Sequence, residues 1–231
     1  MCARRLVRHG LAAAHAGPAA AVAAMAGTHA QVLSAAELAI GLRTADATRA
    51  DVGTALWDEH TLVKTFGPRG TVHVLPSRDL PIWVAALSAV PAAPSPFPDG
   101  VRMTEEQTEE VIQAIGTALN EAELTVDELG EAVVGATGAW AGDLVMPAFQ
   151  TMWPRWRQVM HLAGTRGALC FGPNRGRKVT YTSPRRWLPG FAPAPERPAL
   201  AHIVKSYLHA YGPAHTTAVR ALARRPRPLG E

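Results

Sequence analysis

The chain has 231 residues, 48% of them hydrophobic and 18% charged, a composition that fits a globular protein and excludes a disordered one. Two cysteines, Cys2 and Cys170, exclude a disulfide scaffold and any multi-cysteine zinc module, and no run approaches the roughly 18 apolar residues of a membrane span. The net charge is only +4, but it is segregated: residues 1–100 sum to +1, residues 101–150 to −9 and residues 151–231 to +12. An acidic block followed by one this basic predicts a polyanion-facing surface, with mutual neutralisation of the two blocks as the alternative.

Arg4, Arg5 and Arg8 precede an Ala-rich stretch ending Ala24-Met25-Ala26, which imitates a signal peptide. His15, Gly17 and Pro18 interrupt that stretch, so two helices are expected instead, over 4–15 and 18–26, in a cytoplasmic protein. Ser34 with Glu37 three residues on predicts a capped helix that ends near Arg43. Another helix is expected over 49–57, where Val52 and Leu56 share a face. The period then changes to two. Leu62-Val63-Lys64-Thr65-Phe66, a turn over 67–70 and Thr71-Val72-His73-Val74-Leu75 predict a hairpin, and a helix follows over 79–90. Helices followed by a basic-tipped hairpin is the order of a winged helix.

Pro91, Pro94, Pro96 and Pro98 mark residues 91–100 as a linker, and the same order then recurs. Thr104 caps an acidic helix with the apolar face Val111, Ile112, Ile115 and Leu119. Thr125 and Glu128 form a second capping-box spacing, ahead of a glycine-rich stretch over 135–142. A helix is expected over 152–162 with Pro154 in its first turn, then a hairpin of 168–171 with 179–182. A last amphipathic helix, 198–211, places Leu200, Ile203, Val204, Tyr207 and Leu208 on one face, and the arginine-bearing tail after it is expected to be disordered. The expected class is α+β, mainly helical, with tandem winged helices and short hairpin wings. The divisions are a first winged helix over 1–90, the linker, a second over 101–190, and an incomplete third unit with its tail over 191–231.

Gly27-Thr28-His29-Ala30-Gln31, Leu62-Val63-Lys64-Thr65-Phe66, Arg69-Gly70-Thr71-Val72-His73-Val74, Gly172-Pro173-Asn174-Arg175-Gly176-Arg177 and Tyr207-Leu208-His209-Ala210-Tyr211-Gly212-Pro213 resemble the AlkZ/YcaQ-like family of winged-helix DNA glycosylases. The resemblance runs from about residue 4 to 214. It implies excision of alkylated purines, including bulky adducts on guanine, from double-stranded DNA without a metal or other cofactor. It also implies three tandem winged helices, and this chain departs from that pattern by stopping inside the third. The family motif is Gln-hydrophobic-Gln, or Gln-hydrophobic-Asp in another branch, and the matching residues here are His29-Ala30-Gln31.

The chemistry can be argued from those residues. An N7- or N3-alkylated purine is cationic and leaves easily, so the protein has only to hold a water near C1′. Side chains at i and i+2 of an extended segment point the same way. His29 can accept the water's proton, and Gln31 can orient the water through its amide oxygen. The alternatives are a packing histidine in a turn and an ordinary residue beside a helix cap. Candidate DNA contacts are Arg69 at the first hairpin tip, His73 in its return strand, Arg155 and Arg157 on an expected recognition helix, and Arg175, Arg177 and Lys178 in the second hairpin turn. A monomer associated with the nucleoid is expected. A non-catalytic DNA-binding protein or repressor of the same fold, and a truncated inactive product, are the rival readings.

Overall fold

The computed structural model describes residues 2–91, 95, 97–148 and 150–218. They fall into two compact units, one made of residues up to 91 together with 190–218, the other of the described residues between them. The first unit opens with α1 (Cys2–Arg8) and α2 (Pro18–Ala24), followed by the two-residue strand β1 (Thr28–His29), α3 (Leu33–Gly41) and α4 (Arg49–Trp57). Pro18 sits at the first position of α2, where its missing N–H leaves nothing unsatisfied. Thr48 caps α4 in a reciprocal box with Asp51. The box expected between Ser34 and Glu37 does not form. α3 begins at Leu33 behind Val32 with no side-chain cap, and the buried Glu37 carboxylate meets Arg49 Nε at 2.7 Å. A carboxylate taken out of water needs a cation more than an exposed helix end needs a cap.

β2 (Leu62–Phe66) and β3 (Val72–Pro76) form the expected hairpin, with Leu62 opposite Pro76 and Phe66 opposite Val72. β1 adds to the free edge of β3, giving the order β1-β3-β2, and the central strand is buried along its whole length. The buried core of this part of the unit includes Val22, Ile40, Val52, Leu56, Leu62 and Val74, and α5 (Leu80–Ser88) follows with Leu80, Trp83 and Val84 buried.

The second unit starts with α6 (Glu105–Glu121), β4 (Leu124–Thr125) and α7 (Val126–Thr137). The expected capping box of Thr125 with Glu128 is present, and Thr104 caps α6 as expected, in a box with Gln107 that was not anticipated from the sequence. Val111, Ile112, Ile115 and Leu119 are buried as their spacing predicts. β5 (Leu144–Ala148) then pairs with β6 (Thr151–Pro154) where a helix was expected from residue 152. Pro154 closes β6 with an extended backbone, a short, tightly wound turn covers Arg155–Val159, and α8 (Met160–Thr165) follows. Both strands are largely exposed, so no period of two marks them in the sequence. Trp156 turns inward, fully buried, and lies against Gly130, where an added Cβ would stand 3.4 Å from the indole.

β7 (Cys170–Phe171) and β8 (Thr180–Thr182) make the second expected hairpin, and β4 adds to β8 in the order β4-β8-β7. Each unit therefore carries the same device: a two-residue strand placed just before a helix pairs with the return strand of a later hairpin. After α9 (Pro184–Trp187), α10 (Glu196–Tyr211) rejoins the first unit. Ala199 packs against Ala85 and Ala86 of α5, with Ile82, Ala194 and Ile203 around them. The buried side of α10 is thus its alanine side. Leu200 and Leu208, expected on the apolar face, stay 37% and 38% exposed, because alanines let the two helices approach more closely than leucines would. Residues 219–231, most of the tail expected to be disordered, lie outside the described residues. Helices dominate and the sheets are small and antiparallel, so the class is α+β, mainly helical.

Candidate active site

The first unit holds a cavity of about 520 Å3 between β1, the β2–β3 hairpin tip, the end of α3, α5 and α10. β1 carries His29 into it. Thr28 lies opposite Val74 and His29 opposite His73, and the Ala30 N–H extends the pairing to the Val72 carbonyl at 2.8 Å. Exposure alternates along this segment: Thr28 and Ala30 are buried, His29 and Gln31 exposed. His29 and Gln31 thus share the outward side of the strand, but of the two only His29 lines the cavity.

His73 lines it from β3, buried and edge-on to His29, with ring centroids 5.5 Å apart and planes at 85°. Its Nδ1–H donates to the Thr71 carbonyl at 2.9 Å, which fixes the tautomer and leaves Nε2 as the acceptor of the ring. Burial pushes the His73 pKa down to about 4. The Thr71 bond opposes that shift, and the charges of His29 and Arg69 add to it. His73 is accordingly a neutral group at ordinary pH. Gly67 makes room for it, since a Cβ there would stand 2.8 Å from the ring. Arg69, exposed at the hairpin tip in a left-handed conformation (φ 62°), lines the same cavity.

Several cavity residues escape sequence reasoning. Arg43, Trp83, Tyr207, Tyr211 and His9 all line it. The two tyrosine rings stand 5.2 Å apart, and the Tyr211 hydroxyl donates to the Met25 carbonyl at 2.9 Å. His9 lies edge-on to Tyr211 and its Nε2–H donates to the Ala210 carbonyl at 2.9 Å. Arg8 donates to the His209 carbonyl at 2.9 Å, so α1 is tied to the carbonyl end of α10, where a cation is favoured. The i, i+4 spacing of Tyr207 and Tyr211 was the available signal, and it reads equally well as a core face. Among the described residues no aspartate or glutamate lines the cavity. Among the described residues no cluster of three or more His, Cys, Asp or Glu is placed to hold a metal ion.

A family model described as DNA glycosylase AlkZ-like matches residues 22–228. The chain belongs to the AlkZ-like DNA glycosylase family. The interstrand DNA cross-link repair glycosylase of Streptomyces sahachiroi is 32% identical over 199 residues, which is 84% of this chain and 51% of that protein. The solved structure of Streptomyces sahachiroi DNA glycosylase AlkZ matches with a TM-score of 0.73 at 30% identity, over 92% of this chain and 56% of that one. The chain thus spans about half the length of the curated AlkZ-like relative. The family match covers His29, Gln31 and the cavity residues from Met25 to Tyr211.

The remaining sequence-derived candidates of this AlkZ-like chain lie in the second unit, and most are engaged within it. Arg155 is on the short turn Arg155–Val159 and not on a recognition helix. Its guanidinium donates to the Val101 carbonyl at 2.7 Å and to Asp143 at 3.3 Å, which ties the segment after the linker to the start of β5. Arg157 stacks over the half-exposed Trp153 ring at 3.9 Å. In the second hairpin Arg175 forks onto Glu128, at 2.8 and 3.1 Å, and Lys178 meets Asp127 at 2.8 Å. Arg177 is exposed in the same turn. Part of the acidic block therefore neutralises part of the basic block, as the alternative reading of the charge pattern anticipates.

Proposed function

We propose that this chain is a DNA glycosylase that hydrolyses the N-glycosyl bond of alkylated purines in duplex DNA. In this reading each unit is a winged helix, with the β2–β3 and β7–β8 hairpins as wings, and the protein acts as a monomer on nucleoid DNA. The observation that carries it is the placing of His29 in a water-accessible cavity against a neutral histidine, beside the arginine of a hairpin tip. A purine alkylated at N7 or N3 is already cationic. The C1′–N bond breaks with its electron pair going to the base, and a water adds to C1′ of the oxocarbenium-like sugar. Its proton passes to the imidazole of His29, leaving a neutral alkylpurine and an abasic site. Gln31, on the same side of the strand, orients the water through its amide oxygen, which is too weak a base to take the proton. In the same reading the substrates include bulky adducts and strand-joining cross-links; the name of the Streptomyces sahachiroi relative, an interstrand DNA cross-link repair glycosylase, supports the latter.

The test is incubation with a duplex containing N7-methylguanine, scored for abasic sites by alkaline cleavage. Wild-type protein releases base. His29→Ala slows release by on the order of 10² or more while DNA affinity is nearly retained. Wild-type protein that binds alkylated duplex and releases nothing returns the chain to the repressor reading.

A further inference from the structure

Arg43 stands just beyond the end of α3, half-buried, in the wall of the cavity. Its Nη1 donates to the Ala39 carbonyl at 2.7 Å, a neutral partner on its own helix. Its Nε is buried and finds no hydrogen-bond partner among the described residues. Among the described residues no carboxylate lines the cavity and no ion pair to Arg43 is found. Its charge is felt by the neighbouring Tyr211 hydroxyl, whose pKa burial raises and Arg43 partly restores. A guanidinium drawn half out of water with no counter-ion is unfavourable by itself. An anion entering the cavity offsets that penalty, and about 520 Å3 leaves room for one.

The chemistry of the proposed reaction calls for the same thing. An oxocarbenium-like sugar forms beside a wall that carries Arg43, Arg69 and three histidines, with no carboxylate among the described lining residues to offset it. The negative charge has to arrive with the substrate. The anion that every duplex brings is the phosphodiester, and the guanidinium fork matches its oxygens.

We propose that Arg43, together with Arg69, forms an anion subsite in the cavity that takes a backbone phosphate adjoining the nucleotide being processed. The subsite rests on the glycosylase reading only for the identity of that nucleotide. Arg43 holds the phosphate from the cavity wall, and the phosphate both anchors the strand and screens the two arginines from the developing sugar cation.

The experiment uses the full chain as wild type, Arg43→Gln and Arg43→Lys, with a duplex bearing a single N7-methylguanine. Affinity is followed by fluorescence anisotropy across a salt series. A parallel set of duplexes carries a neutral methylphosphonate at each phosphate flanking the lesion in turn. Arg43→Gln is expected to weaken binding by roughly tenfold and to flatten the slope of log K against log salt by about 0.9, the value for neutralising one phosphate fewer. Arg43→Lys keeps the slope. One methylphosphonate position is expected to weaken wild type by a similar factor and to leave Arg43→Gln unaffected. An unchanged slope in Arg43→Gln, or a methylphosphonate penalty that persists undiminished in it, overturns the subsite. If Arg43→Gln fails to fold, wild type decides: equal affinity for every methylphosphonate duplex overturns the proposal, and one weakened position supports it. The two readings fail separately. A lowered slope without base release keeps the subsite and removes the glycosylase, whereas base release with unaltered Arg43→Gln binding does the reverse.

Discussion

His29 and His73 face each other across the β1–β3 register, with ring planes at 85° and centroids 5.5 Å apart, one exposed to the cavity and the other buried behind it. The two imidazoles are not equivalent. His73 donates its Nδ1–H to the Thr71 carbonyl and resists protonation down to about pH 4. In the proposed reaction the proton of the attacking water therefore goes to His29 and not to His73.

The pH profile of base release follows from this division. His73 stays neutral above about pH 4, so it contributes no acid limb at higher pH. His29→Gln is expected to lower kcat by on the order of 10² to 10⁴. His73→Gln is expected to lower the rate less, through the misplaced His29 ring, and to leave the profile above pH 4 unchanged in shape. Base release at the wild-type rate in His29→Gln assigns the base to another group.

His73 also makes stability depend on pH. Its folded pKa lies below the ordinary 6.5, so between 6.5 and about 4 the unfolded chain takes up a proton that the folded chain refuses. Protons then favour unfolding, and the stability present above pH 6.5 is lost as pH falls toward 4, by up to about 3 kcal/mol for a shift of this size. Urea titrations at pH 7.0 and 4.5 measure it. His73→Phe is expected to shrink the difference between the two pH values. An undiminished difference places the proton uptake elsewhere.

The cap at Thr104, the capping box at Thr125 and the hairpin at 62–75 were legible because each is a local code: a side chain bonding three residues away, or alternation across a short turn. Ser34 and Glu37 carry the same code and fail, because Arg49, from the next helix, claims the carboxylate. The β5–β6 hairpin was invisible since neither strand buries one face, and Pro154 reads as well at a helix start as at a strand end. His29, Arg69 and His73, all in the cavity wall, were chosen from the sequence, as was Gln31 outside it. His9, Arg43, Trp83, Tyr207 and Tyr211 were not, because they meet only after α10 has returned to the first unit.

Pairing within the second hairpin predicts how it meets DNA. Glu128 holds Arg175 by two bonds and also accepts from the Thr125 N–H that starts α7. Glu128→Gln keeps an amide oxygen for the helix start and removes the charge that holds the arginine. Arg175 then keeps only the neutral Glu123 carbonyl as partner, at 2.7 Å, and its charge is available to a phosphate, so affinity for any duplex should rise severalfold and the salt slope steepen by about 0.9. Arg177→Glu should move both in the opposite direction. A salt series in which neither substitution changes binding shows that the second hairpin does not touch the backbone.

The α5–α10 contact carries a consequence for the cavity. Ala199 is buried against Ala85 and Ala86, where an added isobutyl group has no space, while Leu200 beside it is partly exposed. Ala199→Leu should therefore overpack the contact and cost about 1–3 kcal/mol, whereas Leu200→Gln should stay within about 0.5 kcal/mol of wild type. Since α10 carries Tyr207 and Tyr211 into the cavity wall, pushing it off α5 moves both rings and loosens the Tyr211 bond to Met25. Ala199→Leu is thus expected to lose base release even at temperatures where circular dichroism shows it folded, and Leu200→Gln to retain it. Equal activity of the two variants under those conditions means that the position of α10 does not matter to the reaction, and that the tyrosines are wall and nothing more.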